Sequence, residues 1–134
     1  MDEERLKAIP LFAGLNRKER RALAPRADEV ELEEGRVIVR EGEWAYEFFA
    51  IEEGTAEVRR GEQLLAELGP GDFFGEMGLV GDTRRNANVI ASSSLKVVVM
   101  TAQAFRQTSR ELPDVAAKIR AAIEERCRHL EVAG

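Results

Sequence analysis

A chain of 134 residues with 44% hydrophobic and 34% charged side chains has the size and balance of one globular domain. Its formal net charge is −5, and residues 28–76 hold fifteen carboxylates against four arginines, a balance that argues against the broad basic face of a nucleic-acid binder. No apolar run approaches the roughly 20 residues of a bilayer span, the acidic start MDEERLKAIP lacks a secretory apolar core, and the single cysteine, Cys127, fits a reducing cytoplasm. A cytoplasmic chain with no membrane and no direct nucleic-acid contact is the expectation.

Residues 1–27 read as two short helices. Asn16 followed by Glu19 has capping-box spacing before RKERRALA, and Pro10 and Pro25 punctuate the segments. From Asp28 the period changes to short runs rich in β-branched and aromatic residues, VELEEG, RVIVR, YEFFAIEEG, TAEVRR and EQLLAEL, separated by Gly35, Gly42, Gly54 and Gly61. The alternation of Val37 with Val39, Ala56 with Val58, and Leu64 with Ala66 and Leu68 predicts hairpins with one buried face. GPGD at 69–72 is a turn signal, and ANVIAS and LKVVVMT are two further strand candidates. From Ala102 the pattern is helical again, and Pro113–Asp114 opens a final helix carrying Val115, Ile119, Ala122, Cys127 and Leu130 as an apolar stripe. The order predicts a mainly β fold with flanking helices, an antiparallel barrel or jelly roll. It divides a single domain, 1–134, into N-terminal helices (1–27), a β-roll (28–101) and C-terminal helices (102–131).

The segment FFGEMGLVGDTRRNANV, residues 73–89, carries the chemistry. Gly75 permits close backbone approach, and MGLV after Glu76 can form a single helical turn whose free N–H groups, from Met77 and Gly78 onward, point at an anion. Either Arg84 or Arg85 can complete such a phosphate cradle, because guanidinium presents a fork of donors that matches two phosphate oxygens. Glu76 would repel the phosphate and is suited instead to accept a hydrogen bond from a sugar hydroxyl. The set asks for a ligand with one phosphate and a vicinal hydroxyl.

The order FGEMGLV, short loop, arginine, small or polar residue, Ala, Val resembles the phosphate-binding cassette of cyclic nucleotide-binding domains. The likeness extends to PLFAGLN, REGEWAYEFFAIEEGTAEV, LGPGDFFGE and the closing helix, nearly the whole chain. It implies that Gly75 lies against the ribose-phosphate, that Glu76 takes the ribose 2′-OH, and that Met77 and Gly78 belong to the turn whose Gly78 N–H faces the phosphate. It places the phosphate ligand on Arg85, with Asn86 and Ala87 adding backbone donors. Two residues depart from the pattern: Asn86 replaces the usual serine, threonine or alanine, leaving cAMP against cGMP open, and Arg84 stands where proline is common.

The remaining candidates favour structural roles. Cys127 and His129 cannot make a metal site with no other histidine or cysteine in the chain. Ser92, Ser93 and Ser94 read as a turn, and Trp44 and Tyr46 as packing near a turn. Glu52 and Glu53, adjacent in a strand, should point to opposite faces and so form no acid–base pair. The resulting expectation is a non-catalytic regulatory domain that binds cAMP or cGMP without a cofactor or metal. It would signal through its C-terminal helix, acting as a lid, to a protein partner or through a homodimer. The alternative is a ligand-free β-roll used for protein contacts.

Overall fold

The computed structural model describes residues 1–43, 47–74 and 87–130, with side chains as far as residue 125. Helix α1 (Glu3–Lys7) begins on Asp2, whose carboxylate accepts the Glu4 N–H. Helix α2 (Arg17–Leu23) begins on the capping box: the Asn16 side chain accepts from Glu19 N–H and the Glu19 carboxylate from Asn16 N–H, each at 2.9 Å. Single 3₁₀ turns at Pro10–Phe12 and Ala24–Arg26 follow the two helices. Helices this short are unstable alone, so they depend on tertiary burial. Leu6, Phe12 and Leu23 provide it.

Eight described strands follow: β1 (Asp28–Leu32), β2 (Val37–Val39), β3 (Glu47–Glu53), β4 (Ala56–Arg60), β5 (Gln63–Leu68), β6 (Phe73–Phe74), β7 (Asn88–Ala91) and β8 (Leu95–Thr101). They pair antiparallel in two four-stranded sheets, β1-β8-β3-β6 and β2-β7-β4-β5. The arrangement is a jelly roll of two sheets rather than one closed barrel. Helices α3 (Ala102–Glu111) and α4 (Pro113–Leu130) complete the chain.

The first sheet is buried on both faces, which explains why FFAI and VVVM read as unbroken apolar runs. Phe49, Ile51, Phe74, Val97 and Val99 face Val39, Val58 and Val89 of the second sheet across the sandwich. Phe48, Ala50, Val98 and Met100 face a helical layer built from Leu6, Phe12, Phe105 and Ile119. Thr101 caps α3 by accepting the Ala104 N–H, and α4 docks through Val115, Ala116, Ile119 and Ile123. The Lys118 ammonium reaches Glu19 at 2.8 Å and Arg120 lies over the Phe105 ring at 5.1 Å, fastening α4 to α2 and α3.

Strict alternation fails at three β-bulges. Leu65 is an extra residue between the pairs Val58–Ala66 and Arg59–Leu64, so Leu64 turns outward, 43% exposed, while Leu65 joins Ala66 and Leu68 against the inner core. The expectation that Leu64 shares the buried face is corrected by that one-residue slip. Ile38 is the extra residue of β2 and Glu52 that of β3. The bulge at Glu52 also overturns the opposite-faces reading, because Glu52 and Glu53 line the same cavity of about 390 Å³ beside Arg5, Pro10 and Gly71.

Candidate functional site

The candidate segment is suspended between the two sheets. Its approach is fixed by the Gly69–Asp72 turn: the Asp72 carboxylate accepts Gly69 N–H at 2.8 Å, Gly71 N–H donates to Ile51 O at 3.0 Å, and Ile51 N–H donates to Asp72 O at 2.8 Å. Gly71 sits at φ +93°, and a Cβ there would press on the Pro10 ring at 3.3 Å, so this turn tolerates no side chain without strain. The turn hands the chain to β6, where Phe74 pairs with Phe49 and Phe73 with Ala50. Phe74 stacks on Phe49 at 4.8 Å inside the sandwich, while Phe73 meets Phe48 at 5.6 Å on the helical side. One dipeptide thus anchors in both cores.

The exit is anchored in the opposite sheet. Ala87 is 4% exposed in the inner core, and β7 then runs between β2 and β4, with Val89 opposite both Val39 and Val58. Asn88 Oδ1 accepts the Glu41 N–H at 2.8 Å and so ties the loop after β2 to the start of β7. Residues 75–86 therefore leave one sheet and arrive in the other, crossing one end of the sandwich.

Of the predicted ligand residues, Ala87 is described, and its side chain is committed to the core, leaving its backbone as the group available to a ligand. Gly75, Glu76, Met77, Gly78, Arg85 and Asn86 lie outside the described residues, as does Arg84. Trp44 and Tyr46 lie outside them too, and so do the side chains of Cys127 and His129. Ser92 and Ser93 are spent on structure: Ser92 Oγ donates to Thr55 Oγ1 at 2.8 Å and Ser93 Oγ accepts Thr55 N–H at 2.9 Å, clasping the β7–β8 turn to the β3–β4 turn.

Two relationships escape the sequence reading because their partners are distant in the chain. One is the Asn88–Glu41 bond. The other joins Arg5, Glu29 and Glu52, where Arg5 Nη1 lies 2.8 Å from Glu29 Oε2 and 3.6 Å from Glu52 Oε2. Burial, then the neighbouring Glu29 carboxylate, pushes the Glu52 carboxyl up to about 7 against the pull of Arg5 and Lys96. Among the described residues no group of three or more His, Cys, Asp or Glu is placed to hold a metal, and no helix is long and apolar enough to cross a membrane.

A helix-capped jelly roll whose sheets are bridged by a Gly-Glu and Arg segment is the architecture of a small-ligand-binding regulatory module. The chain belongs to the cyclic nucleotide-binding domain family, whose model matches residues 29–111. It is 34% identical over 107 residues to the cAMP-dependent protein kinase regulatory subunit of Hypocrea atroviridis, a match covering 80% of this chain and 23% of that protein. The chain spans about a quarter of the length of the curated relatives it matches. Among solved structures, a cyclic nucleotide-binding-like protein from Brucella abortus is 29% identical with a TM-score of 0.69, covering 82% of this chain and 98% of that one. A putative cyclic nucleotide-binding protein from Geobacter metallireducens shares the fold with a TM-score of 0.82, at 21% identity over 93% of this chain and 94% of that one.

Proposed function

We propose that this domain is a non-catalytic sensor of a cyclic mononucleotide, cAMP or cGMP. The observation that carries the reading is the family match over residues 29–111, which spans the whole Gly-Glu and Arg segment. In this reading Glu76 holds the ribose 2′-OH, Arg85 the cyclic phosphate, and the backbone of Gly75, Met77, Gly78, Asn86 and Ala87 lines the same ligand. The anchoring of that segment in both sheets supports it, because donors fixed at each end need little reorganisation to meet a phosphate.

The output is a change in the docking of α4, whose Ile119 and Ile123 are buried in the helical layer and would exchange partners as the helix closes over the ligand. The regulated target is a protein partner, or a second copy met through the C-terminal helix. Calorimetric titration of cAMP and of cGMP into the wild type and Arg85→Ala tests the reading. Saturable binding of one ligand, lost in the variant, upholds it; absence of binding to both by the wild type replaces it with the ligand-free interaction module.

A further inference from the structure

The Arg5, Glu29 and Glu52 cluster has more acid than base. Glu29 comes from β1, Glu52 from the bulge in β3 and Arg5 from α1, so the three side chains join the N-terminal helix to the first sheet. Arg5 gives its short contact, 2.8 Å, to Glu29, and Glu52 Oε2 lies at 3.6 Å, beyond hydrogen-bond length. The Glu52 side chain is 11% exposed, and its second oxygen, Oε1, is buried with no donor facing it.

A buried carboxylate oxygen without a donor is costly, and a carboxylic acid removes the cost by becoming the donor itself. The other charged groups facing Glu52 are few. Lys96 of β8 attracts its ionised form but makes no ion pair with it, and Asp2 acts on Arg5 rather than on Glu52. Glu53, next in the chain, lines the same cavity and adds negative charge, and Asp72 of the adjoining turn directs a carboxylate oxygen to Gly69 N–H.

We propose that Arg5, Glu29 and Glu52 form a proton-operated latch, in which a proton carried by Glu52 and directed at Glu29 lets both carboxylates lie against one arginine and holds α1 on the sheet. Losing the proton leaves two negative groups facing one guanidinium, and α1 opens more often. The element affected matters, because Leu6 and Ile9 share the helical layer with Ile119 and Ile123 of the final helix. The elevation of the Glu52 carboxyl to about 7 agrees in direction.

The sign of the pH effect follows from where the proton is held more tightly. In the closed state Glu52 titrates at about 7 and in the open state at the ordinary 4.5, so the closed state is favoured at low pH and loses that advantage as pH rises toward 7. Amide exchange protection of Ala8 and Ile9, whose N–H groups bond Arg5 O and Leu6 O, reads the opening. In the wild type, protection factors should fall by up to about tenfold per unit from about pH 5.5 to about pH 7 and then level, the slope of one proton.

In Glu52→Gln, which keeps the shape and supplies a permanent donor, protection should stay flat over that range. In Glu29→Gln the second negative charge is gone, so the step should move to lower pH. Flat protection in the wild type, the same fall in Glu52→Gln, or an unmoved step in Glu29→Gln each overturns the latch. None of these readouts needs a nucleotide, so they are independent of the sensor reading.

Discussion

Asn88 Oδ1 accepts the Glu41 N–H across 47 residues of sequence, binding the loop that follows β2 to the first residue of β7. The bond matters because β7 is where the candidate ligand segment rejoins the fold. Asn88→Ala should lower stability by about 1 kcal/mol, the usual value of one such hydrogen bond, whereas Asn88→Asp keeps an acceptor and should lose less. Urea unfolding of the two variants beside the wild type checks this, and equal losses would show that the acceptor is irrelevant.

Gly54 turns β3 into β4 at φ +92°, and a Cβ there would collide with the Ser94 carbonyl oxygen. Two independent penalties, left-handed backbone and steric overlap with main chain, act at one residue. Gly54→Ala should therefore cost at least about 2 kcal/mol. A thermal melt that matches the wild type would mean the paired turns can separate freely, against the serine and threonine bonds that clasp them.

Arg20 is 9% exposed, with Nε on Glu3 Oε1 at 2.7 Å and Nη1 on Leu15 O at 2.7 Å. One guanidinium thus joins α1, the turn before α2 and α2 itself. Removing it strands a partly buried carboxylate and a carbonyl, so Arg20→Ala should destabilise by about 3 kcal/mol. Arg20→Lys retains the charge but not the fork, and its midpoint in denaturant should fall between the other two.

For the ligand, Arg85→Ala should weaken cyclic nucleotide binding by about tenfold to a hundredfold, the loss of a charge-assisted bidentate contact. Glu76→Gln, which keeps an acceptor oxygen but removes the charge, should cost less than Glu76→Ala. Calorimetry on the three variants orders them, and the reverse order for the two Glu76 changes would assign Glu76 a role other than holding a hydroxyl.

Much of the layout was legible from local pattern. The Asn16–Glu19 cap, the GPGD turn, the strands ANVIAS and LKVVVMT and the helix starting at Pro113 depend on neighbours a few residues apart. The slips at Ile38, Glu52 and Leu65 were not, since a bulge is defined by the strand opposite, and alternation within one strand carries no sign of it.

The sequence by itself determined the order of elements, the apolar runs of the doubly covered sheet and the Gly-Glu and Arg motif that marks the family, because short-range sterics and side-chain chemistry act within a few residues. Tertiary structure alone decided that Phe73 and Phe74 divide between two cores, that Asn88 holds Glu41, and that Glu52 meets Glu29 under Arg5. Those outcomes depend on which distant strands pair and in what register, and burial then changes the chemistry of the groups brought together, as it does for the Glu52 proton.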